Sequence, residues 1–302
     1  MPMFDAFEKF SVQTQTEPLV YIHGLKSVNA SRSLPPLILL HGFPQTFHIW
    51  HRVAPQLLDK FTVILINIRG YGESSKPTDV VSYGKSAMAR DVISVMNGLG
   101  FTDSFYVCGH DRGARVAHKL CVNYPSRVKK VILLDICPTL AMFEKTDMNF
   151  ATSYYHWFLM IQKEPVPETY FSANPRATIE LMMRGRPDVG LSIFDPACFE
   201  AYVDNMSDPA AVHAMCNDYR ASASIDMEES KEDIKHDRLI KCPLLVIWGK
   251  HGVIEKSFNA IEEWRAVTDS DVPVEGYNVN SGHYIPEEAP ESVVRAINKF
   301  FV

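Results

Sequence analysis

The most constraining feature of this sequence is a series of short apolar runs, each of which stops at a glycine or a polar turn. Residues 37–40, for example, read Leu-Ile-Leu-Leu and are followed directly by His41 and Gly42. Short apolar runs without polar alternate positions indicate strands that are buried on both faces. Further strand candidates occupy residues 19–22, 61–66, 105–108, 131–134, 244–248 and 272–279.

Helical patterns lie between these strand candidates. Apolar side chains recur at three and four residues over 88–99, before Gly100, and again over 116–124, before Pro125. Glycine and proline are common helix stops. This alternation of strands and helices predicts an α/β fold with an open, mostly parallel central sheet flanked by helices.

The alternation breaks after Pro138. Residues 139–235 are rich in Met, Tyr, Trp, Phe and Pro and contain no convincing strand, which indicates an inserted helical segment. We therefore expect the first part of an α/β core at 1–138, a helical cap at 139–235, and the second part of the core at 236–302. A chain of 302 residues is long enough for one large domain with such an insertion.

The composition excludes several classes of function. Lys and Arg total 30 against 36 for Asp and Glu, the net charge is -6, and no basic stripe is visible, so nucleic acid is not expected as a partner. No apolar run approaches the ~20 residues of a membrane span, and residues 1–10 lack a secretory signal. Six cysteines without CxxC spacing indicate reduced, buried thiols of a cytoplasmic protein. No metal-ligand spacing and no phosphate loop appear, so we expect catalysis with water and no cofactor.

The strongest chemical signal is Gly109-His-Asp-Arg-Gly113, which follows a predicted strand and begins a predicted helix. It has the Gly-x-nucleophile-x-Gly form of a nucleophile elbow, with Asp111 at the centre. A carboxylate with a pKa near ~3.9 is already ionised at neutral pH and needs no base to activate it. It is suited to attack on a saturated carbon that bears a leaving group, with formation of an ester. Hydrolysis of that ester then requires a base for water.

His283 is the candidate for that base, because it lies in a loop just past the last predicted strand. A common position for the acid that orients such a histidine is the loop after the strand at 244–248. Residues 248–255 contain no Asp, however, so Asp135 at the end of the 131–134 strand is the better candidate. It would fix the tautomer of His283 and stabilise its cation.

Two further groups of residues flank Asp111 in the predicted fold. The backbone amides of Phe43, in the tetrapeptide 41–44, and of Arg112 could form an oxyanion hole. Arg112 and Arg115 are three residues apart and share a helix face, where two guanidiniums could hold a substrate carboxylate. Cations are disfavoured at a helix N-terminus, which supports a functional role for the pair.

The chain resembles the fluoroacetate dehalogenases of the α/β-hydrolase superfamily across almost its whole length, in core and cap. The residues that carry the resemblance are 109–115, 134–136 with Pro138 and Thr139, His156 with Trp157, and 218–221. The order nucleophile, acid, histidine is also that of the α/β hydrolases. One departure is Asn67, where hydrolases of this type usually carry Asp, and we expect that position to be structural.

The resemblance implies a hydrolytic dehalogenase of short 2-haloacids. Asp111 would displace the halide, His283 supported by Asp135 would direct water onto the ester, and Arg112 with Arg115 would bind the carboxylate. Three side chains of the cap would donate hydrogen bonds to the departing halide: His156, Trp157 and Tyr219. The resemblance also implies a homodimer.

Two other functions remain open at this point. An epoxide hydrolase would use the same Asp-His-Asp triad with cap tyrosines as acids, for which the candidates are Tyr154, Tyr155, Tyr170, Tyr202 and Tyr219. A protein of this fold that only binds a small ligand would lack a member of the triad, and none is missing. A serine-type esterase is disfavoured because the elbow carries no Ser.

Overall fold

A computed structural model describes residues 3–28, 34–185 and 188–302 of the chain. At its centre is an eight-stranded sheet in the order β1-β2-β4-β3-β5-β6-β7-β8. The first two strands pair antiparallel, and the other six run parallel to one another. The strands are β1 (Phe7–Thr16), β2 (Leu19–Ser27), β3 (Pro36–Leu40), β4 (Thr62–Ile66), β5 (Phe105–His110), β6 (Val128–Leu134), β7 (Leu244–Gly249) and β8 (Val274–Val279).

Alternate residues of the central strands enter two different cores. Ile38 and Leu40 of β3 pack on one face of the sheet, and Leu37 and Leu39 pack on the other. All four side chains are inaccessible to solvent. The prediction of burial on both faces is therefore confirmed for the central strands β3 to β7, and it explains why they read as continuous apolar runs. It is wrong for the candidates at 19–22 and 272–279, because Leu19, Tyr21 and Tyr277 are exposed.

Helices cover both faces of this sheet. Over the core they are α1 (Lys85–Gly98), α2 (Arg112–Asn123), α11 (Val253–Ser257), α12 (Ala260–Arg265), α13 (Ile285–Glu288) and α14 (Pro290–Phe300). Helices α1 and α2 contact each other, and α2 also contacts β5 and β6. Val293 and Ile297 of α14 belong to the core on the opposite face. The predicted fold class, an α/β sheet flanked by helices, is confirmed.

In the part of the chain that the structure describes, the segment between β6 and β7 is mainly helical, with turns and loops between its helices. Its helices are α3 (Thr139–Glu144), α4 (Met148–Ser153), α5 (Tyr155–Met160), α6 (Val166–Ala173), α7 (Pro175–Met183), α8 (Pro196–Ser207), α9 (Pro209–Ser222) and α10 (Ile225–Lys235). Trp157 and Met215 of this segment share one apolar cluster with Val116 of α2. The packing between cap and core is thus continuous, and the boundaries at 139 and 235 stay a prediction.

All six cysteines are buried, as their spacing predicted. Within the described ranges, the longest and most apolar helix still falls short of what a membrane crossing requires.

Candidate active site

The elbow at Asp111 is a sharp turn between β5 and α2. The backbone of Asp111 has φ 46°, a left-handed conformation that is unusual for a residue other than glycine. A Cβ on Gly113 would lie 2.4 Å from the carbonyl oxygen of His41, and one on Gly109 would lie 2.7 Å from the Cα of Ala114. Both framing glycines are therefore required by close backbone approach, which confirms the interpretation of this motif as a tight turn.

The Asp111 carboxylate faces the loop that follows β3. The backbone N–H of Phe43 donates a hydrogen bond of 2.9 Å to Oδ1 of Asp111. A Cβ on Gly42 would lie 2.6 Å from the same oxygen, so only glycine lets this loop come so close. Arg112 is the first residue of α2, and its N–H is among those that a helix leaves without an internal partner. The structure thus shows a contact with the carboxylate for the Phe43 N–H, and the role of the Arg112 N–H in an oxyanion hole stays a prediction.

His283 bridges the two acidic residues of the site. Its Nδ1 lies 2.6 Å from Oδ2 of Asp135, and its Nε2 lies 3.9 Å from Oδ2 of Asp111. The other oxygen of Asp135 accepts the N–H of Gly249 at 2.8 Å. With Nδ1 as the donor to Asp135, Nε2 is the nitrogen that faces Asp111.

The charges of these groups shift their pKa values in opposite directions. Burial alone would raise the pKa of Asp111, but the positive charges of His283, Arg112 and Arg115 outweigh it and lower that pKa. Burial alone would lower the pKa of His283, but its hydrogen bond to Asp135 and the charges of both acids raise that pKa above its usual value. Asp111 is therefore ionised at neutral pH. The protonated form of His283, which a general base forms when it takes a proton, is stabilised by its surroundings.

Two residues that sequence analysis missed hold the loop of His283. His110, the residue before Asp111, has its pKa lowered to about 3 chiefly by burial, so its imidazole is neutral. Its Nε2 donates to the carbonyl oxygen of His283 at 2.8 Å. Glu288 accepts the N–H of Gly282 at 2.8 Å. Only the position of His110 within the elbow motif could have indicated this role.

Arg112 is neutralised by a carboxylate from the cap. Its Nε and Nη2 donate to the two oxygens of Asp218 at 2.9 and 2.7 Å, and Nη2 also reaches Ser222 at 2.6 Å. Lys85 donates to the same Asp218 at 2.5 Å. Nη1 of Arg112 is left without a hydrogen-bond partner among the described residues, although it is buried. The two N–H groups of Nη1 are thus unpaired within the described ranges and could be donated to a ligand.

Arg115 is a buried cation without a carboxylate partner. Its Nη1 donates to Oγ1 of Thr139 at 2.8 Å, its Nη2 contacts the sulfur of Met142, and its Cζ lies 4.7 Å from the ring centroid of Trp157. Within the ranges that the structure covers, it forms no ion pair, and its buried Nε has no partner. Burial, with the nearby charge of Arg112, lowers the pKa of Arg115 to about 10. The guanidinium remains charged at neutral pH, and Asp111 is a nearby negative charge that does not form an ion pair with it.

Aromatic side chains form the wall opposite Asp111. The ring of Phe43 stacks on His156 at 5.8 Å between centroids and meets Tyr219 edge-on at 5.3 Å. Trp157 lies 5.9 Å from Tyr219. Burial lowers the pKa of His156 to about 3, so its imidazole is neutral. Asp111, His283 and these aromatic residues line one cavity of about 690 Å³.

The candidate tyrosines separate into two groups. Tyr154, Tyr155 and Tyr219 line the cavity of Asp111. Tyr170 is 67% exposed and does not line it, and Tyr202 instead donates a hydrogen bond of 2.7 Å to Glu287. The expectation that Tyr170 and Tyr202 could serve as acids is therefore wrong: the first points to solvent, and the second is held at a separate buried carboxylate.

Asn67 has a structural contact. Its Oδ1 accepts the backbone N–H of Phe47 at 3.0 Å, and it does not line the cavity of Asp111. A search of the described residues finds no cluster of three or more His, Cys, Asp or Glu that could hold a metal ion.

Comparisons with known proteins agree with this geometry. Residues 35–290 match the family model of the α/β hydrolase fold. The chain belongs to the α/β-hydrolase family.

The hydrolase is 36% identical to a fluoroacetate dehalogenase of Burkholderia sp over 99% of this chain and 95% of that protein. It is 29% identical to a soluble epoxide hydrolase of Corynebacterium sp. (strain C12) over 88% of this chain and 90% of that one. A solved structure from Nostoc sp PCC 7120, assigned to the α/β hydrolases, has 42% identity and a TM-score of 0.90, with 98% of each chain covered.

Proposed function

We propose that this hydrolase removes the halide from short 2-haloacids such as fluoroacetate. The observation that carries the proposal is the buried Arg115 guanidinium, which has no carboxylate partner within the described ranges. A buried charge is costly unless it is paired, and Arg115 lies 4.7 Å from the ring of Trp157, which lines the cavity of Asp111; both facts support the binding of an anion at this end of the cavity. Nη1 of Arg112 supplies a second donor for the same carboxylate. The similarity to the fluoroacetate dehalogenase supports the same substrate class.

In the first step, an oxygen of Asp111 attacks the α-carbon of the bound acid. A C–O bond forms, the carbon–halogen bond breaks, and the electron pair leaves with the halide. His156, Trp157 and Tyr219 line the cavity and would donate hydrogen bonds to the halide as its charge develops. Fluoride is a poor leaving group and needs such stabilisation most.

In the second step, His283 takes a proton from water, and the hydroxide adds to the ester carbonyl of Asp111. The 2.6 Å contact with Asp135 stabilises the imidazolium that forms. Negative charge develops on an oxygen of Asp111 where the Phe43 N–H donates a hydrogen bond at 2.9 Å. Collapse of the intermediate breaks the bond to the α-carbon oxygen, and the leaving alkoxide takes the proton from the His283 imidazolium to give the 2-hydroxy acid. The Asp111 carboxyl group then loses the remaining proton to water, which restores the carboxylate.

The deciding experiment is halide release from fluoroacetate and chloroacetate, with a neutral epoxide assayed alongside. We expect fluoride release from the native protein and none from Asp111→Asn. Release of chloride but not of fluoride would be consistent with displacement by Asp111. It would contradict the assignment of His156, Trp157 and Tyr219 as hydrogen-bond donors to the halide.

Epoxide hydrolysis is the second candidate function. Tyr154 and Tyr219 line the same cavity as Asp111, and the Corynebacterium relative is a soluble epoxide hydrolase. Opening of the epoxide without release of fluoride or chloride would favour epoxide hydrolysis. The two tyrosines would then be the proton donors to the epoxide oxygen.

We further propose a cytoplasmic homodimer with a cap at 139–235 between the two parts of its core. Sedimentation velocity tests the dimer: a single species with the mass of one 34.2 kDa chain would contradict it.

A further inference from the structure

The cavity above Asp111 is far larger than a two-carbon acid requires. Its volume is about 690 Å³, whereas drug-sized ligands occupy pockets of roughly 300–1,000 Å³. Asp111, Trp157 and Tyr219 are at most 5% exposed and mark its inner end. The outer part of the wall includes exposed and partly exposed residues that the proposed reaction does not use.

Two cations stand on this outer wall. Arg184 follows α7 of the cap, and Lys256 lies in α11 of the core, so the pair comes from both sides of the cavity. Both side chains are exposed. Across residues 3–28, 34–185 and 188–302, neither has an ion pair or a side-chain hydrogen bond. Asp188 is the carboxylate on the same part of the wall, and His251 is hydrogen-bonded to Asn280 at 2.8 Å.

Apolar side chains accompany the two cations. Leu181, Met182 and Val253 line the cavity, and their exposure is intermediate or high. Arg112 and Arg115 do not themselves line the cavity, but their Cζ atoms lie 4.3 and 4.7 Å from the ring centroids of Tyr219 and Trp157 at its buried end. From this end outward, the wall continues with aliphatic side chains and then with the two cations where it opens to solvent. A ligand that matches all three has a carboxylate at one end, a short aliphatic chain, and a second negative charge at the other end.

We infer that Arg184 and Lys256 form a second anion subsite and that the substrates include 2-halo dicarboxylic acids. The inference rests on the proposed dehalogenase function and names its substrate class. The α-halo carboxylate would bind at Arg112 and Arg115, and the remote carboxylate at the outer cations. The chemistry is unchanged: the Asp111 oxygen–carbon bond forms, the carbon–halogen bond breaks, and hydrolysis yields halide and a 2-hydroxy dicarboxylate.

Binding of non-halogenated acids to Asp111→Asn protein tests the subsite apart from turnover. The probes are glutarate, adipate and pimelate, each titrated calorimetrically at low salt against the monocarboxylate of the same chain length. We expect at least one dicarboxylate to bind about five- to tenfold more tightly, as two exposed ion pairs allow at low ionic strength. Adding Arg184→Gln and Lys256→Gln should abolish this preference. Lys163→Gln and Lys241→Gln, exposed lysines outside the cavity, are the matched controls and should retain it.

Absence of any dicarboxylate preference overturns the subsite, and so does a preference that survives the double substitution. If the double substitution lowers the affinity for monocarboxylates and dicarboxylates equally, the two cations attract anions only non-specifically. That result would also overturn the subsite. Chloride release from chloroacetate tests the reaction independently. If the native protein releases chloride but shows no preference for dicarboxylates, the proposed function stands and the subsite is refuted. If it prefers dicarboxylates but releases no halide, the subsite stands and the proposed reaction is refuted.

Discussion

At the scale of single residues, the reaction that we propose separates attack on carbon by Asp111 from activation of water by His283. Asp111 is kept ionised by surrounding positive charge, while His283 is held by Asp135 with Nε2 3.9 Å from the nucleophile. The nucleophile therefore needs no base for the first step, and His283 is needed only for the second. Removing either residue should stop the reaction at a different point.

We predict that His283→Ala forms the ester and cannot hydrolyse it. With fluoroacetate, the protein should gain about 58 Da, the mass of a carboxymethyl group on Asp111. Steady-state turnover should fall by a factor on the order of 10³. Intact-protein and peptide mass spectrometry measure the adduct. His236→Ala, at an exposed histidine, should behave as the native protein, and a fully active, unmodified His283→Ala would contradict the role of this residue.

We predict that Arg115→Gln weakens carboxylate binding by roughly 10- to 100-fold, the loss expected for hydrogen bonds to a charged group. The dissociation constant of fluoroacetate in an Asp111→Asn background gives this directly. Arg127→Gln, at an arginine that hydrogen-bonds the carbonyl oxygens of Asp103 and Phe101, is the control. Equal affinity with and without Arg115 would remove the main support for a haloacid.

At the scale of elements, the sequence was informative where burial is complete. The strands that carry Asp111 and Asp135 read as apolar runs because both of their faces are covered. Strand β1 escaped prediction because it lies at the sheet edge, where its residues are exposed or only partly buried. Partners that approach from distant elements left no local signal either: Asp218 reaches Arg112 from α9, 106 residues along the chain.

The elbow itself gives a prediction about an element. In Gly113→Ala, the new Cβ would lie 2.4 Å from the oxygen of His41 and 2.5 Å from that of Leu40, so α2 must move away from β3. We expect a loss of stability of a few kcal/mol and displacement of Asp111. Gly84→Ala is the matched control, because its nearest neighbour lies at 3.3 Å and its φ is -55°. Thermal unfolding and halide release measure both effects, and native behaviour of Gly113→Ala would show that the turn tolerates a side chain.

At the scale of the whole molecule, a buried acid joins the cap to the core. Glu287 of α13 accepts hydrogen bonds from Tyr202 of the cap helix α8, at 2.7 Å, and from Gln45. Burial raises its pKa from 4.5 to about 8. The folded state therefore binds a proton that the unfolded state releases, and this group makes stability fall as pH rises from about 4.5 to about 8.

We predict that Glu287→Gln, which keeps an acceptor for Tyr202, stabilises the protein at alkaline pH. The gain should be on the order of a few kcal/mol above pH 8 and should vanish near pH 4.5. Melting temperature measured across this range tests it, with Glu291→Gln at an exposed glutamate as the control. A pH-independent effect of Glu287→Gln would show that Glu287 does not change its protonation on folding.

The pairing of His283 with Asp135 at the end of β6 has a consequence for how such a protein can diversify. The segment after β7, residues 250–257, supplies no member of the triad, yet it carries Val253 and Lys256 on the wall of the cavity. Gly252 is the exception to this separation, because a Cβ there would lie 3.4 Å from the Asp135 carboxylate. A library confined to Val253 and Lys256 is therefore the efficient way to evolve new substrate ranges, since it leaves Asp111, Asp135 and His283 unchanged.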